Sequence, residues 1–244
     1  MNYSDKIKST LARLRTGAEP GAESRRDEGA ENVRAVPDGG RIPGSEDGSA
    51  SLDEIGLRAD VDEEQLLSAL GLDAAEMEWR KDFVGFDEGD AERLAELTPM
   101  FEDIADDLAD HFYDHLGQYE QTLDVLGRSD RSVEQLKWTQ RRYLLSLGDH
   151  PYKPGGTAGY GREYIKQRAV IGKLHERLDM PPKQYIGMYQ HYHEQVIGEL
   201  FDRLEDEVAE TEDATAALDR TREQLQSFMR ITNVDMQIAM DAYL

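Results

Sequence analysis

Tyr160-Gly-Arg-Glu-Tyr164-Ile-Lys-Gln-Arg168-Ala-Val-Ile171-Gly-Lys-Leu-His175-Glu-Arg-Leu178 is the stretch on which the reading of this chain turns. Tyr164 stands eleven residues before His175, Ile171 four before it and Leu178 three after it. Those spacings put all four side chains on one face of an α-helix. An imidazole at position 175 therefore points at a core from an apolar wall. Two readings stand at this level. One is a core histidine hydrogen-bonded to a carbonyl. The other is a histidine whose second ring nitrogen is offered to a group held in the pocket.

Working outward, the same periodicity predicts helices over 62–70, 73–83, 88–97, 99–117, 119–127, 131–148, 160–178, 182–208 and 212–243. Asp73, with Glu76 three residues on, reads as an N-cap, and Pro99 sits at an acceptable first-turn position. Period-two alternation is scarce, so no strand is predicted. The glycine-rich stretch 148–159 reads as a loop, and Pro181-Pro182 separates two helices. The segment 16–51 is rich in Gly, Glu, Asp, Ser and Arg and nearly devoid of large apolar residues, so it cannot bury enough surface to fold. The expected division is a disordered acidic tail over 1–51, a linker with a short helix over 52–72, and one all-α domain over 73–244. A four-helix bundle has fewer and more even helices; a globin packs about eight around a pocket.

Composition removes several classes of function. The chain has 244 residues, 51 acidic against 28 basic, and a net charge of -23. Such a surface repels phosphate backbones, so no nucleic-acid partner is expected. Acidic excess with only eight lysines suits concentrated salt, where charge repulsion is screened. The absence of cysteine excludes disulfides, zinc–cysteine sites, iron–sulfur clusters and haem attached through a Cys-x-x-Cys-His motif. No apolar run reaches the roughly 18 residues of a membrane span. The reading is a cytoplasmic protein without a membrane span.

Motifs for nucleotide, hydrolytic and zinc-protease chemistry are missing, and none of the six histidines stands in a Glu-x-x-His motif. What remains are single residues with more than one reading. His175 has the placement a proximal haem ligand requires, one nitrogen reaching iron while the macrocycle rests on apolar side chains. Tyr113 shares a face with Ala105, Ala109 and Leu116. Those alanines leave room for a bulky neighbour, and the phenol is either an ordinary core tyrosine or a hydrogen-bond donor to a bound ligand. Thr139 faces inward with Leu136 and Tyr143; its hydroxyl bonds either a bound gas or the carbonyl four residues earlier. His111 and His115, spaced i, i+4, read as a solvated face, and His191 and His193 point to different sides of one helix.

Taken together, Gly71–Arg80, Phe112–Leu116, Ser132–Thr139, Arg168–His175, Pro182–Tyr189 and Met236–Tyr243 resemble, in order and spacing, the sensor domain of globin-coupled sensors, in particular the haem-based aerotaxis transducers. The resemblance covers residues 73–244. It implies a globin-like fold with an extra N-terminal helix near 73–83 and one haem b (iron protoporphyrin IX). His175 matches the proximal ligand, Tyr113 the distal tyrosine that contacts bound oxygen, Thr139 the distal threonine and Leu136 the distal leucine. Tyr185 matches a tyrosine whose movement follows ligand binding, and Ile171 belongs to the wall beside His175. The loop 148–160 is longer than usual in that family.

The implied function is reversible binding of oxygen, or of carbon monoxide or nitric oxide, with signalling through the C-terminal helices and no enzymatic activity. A stand-alone oxygen-binding globin or nitric oxide dioxygenase is the alternative. Apolar residues on 185–204 and at Leu218, Leu225, Phe228, Ile231 and Met240 exceed one core-facing stripe, which predicts a homodimer through these two helices. A transducer continues into a signalling region, whereas this chain stops at Leu244; an excised sensor domain or a sensor without its output module is expected.

Overall fold

The computed structural model describes residues 61–148 and 160–243. The tail 1–51, its helix over 3–14 and most of the loop 148–160 lie outside the described residues. Within them the chain forms α1 (Glu63–Ala69), α2 (Ala74–Val84), α3 (Glu88–Glu96), α4 (Thr98–Leu116), α5 (Glu120–Leu126), α6 (Val133–Ser146), α7 (Arg162–Arg177), α8 (Pro182–Glu210) and α9 (Ala214–Asp241), with no strand among the described residues.

Local chemistry places the helix ends. The Asp73 carboxylate accepts from the Glu76 amide at 2.8 Å and starts α2. Gly85, at φ 74°, ends it in the left-handed region that a side chain would strain. Asp87 with Asp90, and Ser132 with Gln135, form reciprocal capping boxes that open α3 and α6. Proline occupies the first turn of α4 and of α8.

The long C-terminal helix α9 is the hub, packing on α2, α3, α7 and α8, while α4 packs on α6 and α8. Phe101, Leu94 and Leu108 meet Phe228, Ile231 and Ile238 in one continuous core. At the α3–α9 junction the buried Asp90 accepts from Ser227 Oγ at 2.6 Å and from Arg230 at 2.9 and 3.0 Å. At the α7–α9 crossing a Cβ added to Gly172 would stand 2.7 Å from the Ala239 carbonyl oxygen, so the two backbones touch there. Leu67 of α1 and Leu72 are buried in the same core, so the short helix in 52–72 is docked against α7.

The centre of α9 carries a buried charge. Asp235 accepts from the hydroxyls of Tyr164 at 2.5 Å and Tyr143 at 2.7 Å, and Arg168 Nε lies 3.2 Å from its Oδ2. Arg168 also donates to Ser146 Oγ at 2.8 Å and stacks 4.0 Å over the Tyr164 ring. Burial pushes the Asp235 carboxyl upward, against the opposing pull of the Arg168 guanidinium and the two phenols. Removing one member of such a pair strands the other in a dry interior. Asp235→Ala is expected to lower the free energy of unfolding by about 3–5 kcal/mol in urea denaturation, with Arg168→Met/Asp235→Leu together recovering part of the loss.

Candidate functional site

Two groups of elements line a cavity of about 380 Å³. Tyr113 and Leu116 of α4, Leu126 of α5, Arg131, and Leu136 and Thr139 of α6 line it from one group. Ile171, Leu174, His175 and Leu178 from α7 and its end, with Tyr185, Met188 and Tyr192 of α8, line it from the other. Its size falls in the range of cofactor-binding pockets. All six residues singled out from the sequence (His175, Tyr113, Leu136, Thr139, Tyr185 and Ile171) stand on its wall.

His175 is bound through Nδ1 to the carbonyl of Ile171, 2.7 Å away, one turn back on α7. The carbonyl can only accept, so Nδ1 carries the proton and Nε2 is left with a free lone pair. Burial holds the pKa of this imidazole below its ordinary value, opposed in part by the Ile171 bond. The ring is therefore neutral, the state in which a histidine ligates a metal. The carbonyl-bonded core histidine and the cavity-facing ligand are one arrangement: the bond that satisfies one nitrogen orients the other. Tyr185 meets the ring edge-on at a centroid distance of 5.0 Å.

The opposite group carries hydroxyls. Tyr113 is buried, burial raises its phenol pKa, and its hydroxyl has no hydrogen-bond partner among the described residues. Thr139 Oγ1 donates to the Gln135 carbonyl at 3.0 Å and accepts from Arg131 Nη1 at 3.4 Å. The buried Tyr192 hydroxyl and Gln184 Oε1, also on the cavity wall, have no partner either. Buried polar atoms without a partner on a mostly apolar wall cost free energy unless a ligand or water meets them.

Tyr164 departs from the expectation drawn from periodicity. It shares the helical face of His175 but donates to Asp235, and it does not line the cavity. Eleven residues at 1.5 Å each carry it roughly 16 Å along α7, past the pocket and into the core.

Sequence reasoning missed the polar chain behind the wall. Tyr185 and Tyr189 hydroxyls lie 3.3 Å apart, as do those of Tyr189 and Tyr143, and Tyr143 reaches Asp235. Each phenol has one proton and the carboxylate only accepts, so the chain runs Tyr185 to Tyr189 to Tyr143 to Asp235. Helical spacing of 185 and 189 was the available signal; nothing local pointed to residue 235.

The other histidines divide. Among the described residues no three His, Asp or Glu side chains are grouped to hold a metal ion. His115 and His191 rings lie 3.8 Å apart across α4 and α8, and His111 lies 5.5 Å from His191. His193 meets Thr232 Oγ1 at 3.2 Å.

This is an all-helical globin-type domain built around a histidine-bearing cavity. The protoglobin family model matches residues 73–244, and the chain belongs to that family. Over 189 residues it is 40% identical to the heme-based aerotactic transducer HemAT of Halobacterium salinarum, covering 77% of this chain and 36% of that protein. The chain thus spans about a third of the length of that curated relative. The globin domain of a Geobacter sulfurreducens globin-coupled sensor superposes with a TM-score of 0.55 at 21% identity, over 68% of this chain and 97% of that one. The likeness supports the globin-like fold expected from the sequence. No helix among the described residues is long and apolar enough to cross a membrane.

A pH dependence follows from the histidines away from the cavity. Burial lowers the pKa of His191, with His115 and His111 adding to the effect and Glu194 opposing it; burial alone lowers that of His193. Both then bind protons more weakly folded than unfolded, so their contribution is complete above the ordinary value of 6.5 and is lost as pH falls below it. Urea midpoints measured from about pH 8 to about pH 5 should fall on the acid side, and less steeply for His191→Gln.

Proposed function

We propose that this chain binds haem b and senses a diatomic gas, oxygen first, in the cytoplasm. The observation that carries the reading is the neutral His175 imidazole, oriented by the Ile171 carbonyl and standing on the wall of a mostly apolar cavity. The residues fit the group. Leu116, Leu126, Leu136, Leu174 and Met188 supply apolar walls, Nε2 of His175 supplies the ligand, and Arg128 and Arg177 stand on the lining where carboxylates need cations. When bound, haem supplies an iron with an open coordination position that takes a diatomic gas.

The chain's own residues do the rest. Ile171 fixes the tautomer and direction of His175. Leu136 keeps water from the α4–α6 wall. Tyr113 has a phenol proton with no protein acceptor, and it donates to a ligand in the cavity; Thr139 gives its one proton to the Gln135 carbonyl and borders the ligand without donating to it. On the other side, a displacement of His175 presses on Tyr185, and the Tyr185–Tyr189–Tyr143 chain carries it to Asp235 on α9. That chain gives a sensor a two-ended element whose arrangement the ligand can bias. The names of both relatives, a transducer and a sensor, support sensing over catalysis, and aerotactic signalling through a downstream module is the corresponding proposal for the whole protein. The Halobacterium relative agrees with the salt-adapted origin expected from the charge.

His175→Ala should abolish the strong absorption band near 400 nm in haem-reconstituted protein. Unchanged haem content would refute the assignment. Tyr113→Phe should keep haem and speed oxygen release about tenfold or more in stopped-flow, because a hydrogen bond made only to the ligand is lost.

The homodimer expected from the sequence belongs to the same proposal. Ile186, Phe201 and Val208 on α8, with Leu218 and Met229 on α9, are exposed large apolar residues. Phe201 and Val208 are seven apart, the spacing of a helix–helix seam, whereas Leu225, Phe228 and Ile231 of the sequence expectation pack into the chain's own core. Sedimentation velocity should give a dimer for the native chain and a monomer for Phe201→Glu/Met229→Glu; a native monomer would remove the dimer.

A further inference from the structure

Arg131 stands in the segment between α5 and α6, immediately before the Ser132 cap, and lines the cavity beside Tyr113, Leu136 and Thr139. Its side chain is half-buried. Arginines elsewhere on the chain meet carboxylates: Arg80 meets Asp241, Arg141 meets Asp106, Arg203 meets Asp103 and Arg230 meets Asp90. Arg131 has no carboxylate within ion-pair distance among the described residues, although the chain holds 51 acidic residues against 28 basic ones. Its neighbour Asp130 is exposed and forms no pair with it. The guanidinium contact described is the 3.4 Å bond to Thr139 Oγ1, long for a charged donor. Burial lowers the pKa of Arg131, and the nearby Tyr113 phenol opposes this. A guanidinium drawn partly out of water beside an apolar cavity, with no carboxylate partner among the described residues, is costly. Its planar fork of donors matches small oxygen and nitrogen anions.

We infer that Arg131 is a specificity-determining residue of the cavity, pairing its guanidinium with a small monoanion, or with a ligand that gains negative charge, held against the Tyr113–Thr139 wall. The inference rests on the haem reading and goes beyond it: the site discriminates ligands by charge as well as by the phenol. A neutral ligand gains nothing from Arg131; an anionic one gains a charge-assisted bond in a poorly solvated place, where such bonds are strongest. The same guanidinium chemistry would serve a carboxylate side arm of the cofactor, and the two sources of negative charge are separable.

The test uses the full chain reconstituted with haem and oxidised to the ferric form, as native protein, Arg131→Met and Arg131→Lys. Azide and fluoride are the anionic probes, imidazole the neutral one, and transfer of haem to apomyoglobin measures cofactor retention. Arg131→Met should weaken azide and fluoride about tenfold or more, with imidazole within about twofold of native, and Arg131→Lys should fall between. Azide affinity within about twofold of native in Arg131→Met overturns the inference. If haem transfer also speeds, the guanidinium belongs to the cofactor's carboxylates instead. If Arg131→Met does not fold, Arg131→Lys decides alone: native azide affinity with its displaced charge overturns the inference, and a selective loss for the anions supports it. Native protein that retains no haem defeats the sensing reading, and this inference falls with it.

Discussion

The carboxylate of Asp235, sealed in the middle of α9, is the constraint from which the rest of the architecture follows. It draws the Tyr143 hydroxyl from α6, and the Arg168 guanidinium and Tyr164 hydroxyl from α7, to one point. Through Tyr189 and Tyr185 it also reaches α8. Hydrophobic burial is tolerant of small slides between helices, because one apolar contact replaces another. A buried charge is not tolerant, since every partner displaced leaves a desolvated group unmatched. Four helices are thereby held in register by one side chain, and the cavity beside them inherits that register.

A cavity inside a packed domain needs walls that do not collapse into it. Here the walls are held from behind. Tyr113 has Phe112 against it at 5.3 Å, and Tyr192 packs on Phe112 and Tyr143. His175 is tied down by its own helix, and Tyr185 is tied to Tyr189. Most of the cavity surface is apolar, as the recognition of a mostly apolar ligand requires. The same side chains thus serve as scaffold on one side and as binding surface on the other.

The helices were legible because their signals are local. Asp73, Asp87, Ser132, Gly85 and the prolines of α4 and α8 mark ends through bonds spanning three or four residues. The His175 wall was legible for the same reason, since Ile171 and Leu178 lie within one turn of it. Long-range pairings were not. Arg168 and Asp235 stand 67 positions apart, and each in isolation reads as a solvated charge. Nothing near Tyr143 shows that its hydroxyl ends on α9. Arg131, in a short connection beside a serine and an aspartate, reads as a surface residue until the cavity is seen beside it. His191 was legible as one face of a helix, but its approach to His115 depends on how α8 crosses α4. The resemblance supplied what periodicity lacked for Tyr113, Leu136, Thr139 and Tyr185, and all four do share the cavity.

The touching backbones at Gly172 and Ala239 have a mechanical meaning. They form a fulcrum set near one end of α7: His175 lies three residues, about 4.5 Å, beyond it, while Arg162 lies ten residues, about 15 Å, on the other side. Between that pivot and the far tip, Arg168 and Tyr164 are anchored to Asp235, so an excursion of the imidazole is resisted along the longer arm rather than magnified at its tip. That tip is fastened to α1 by Arg162 and Lys166 on Glu64, solvent-facing attachments that yield readily and that concentrated salt weakens further.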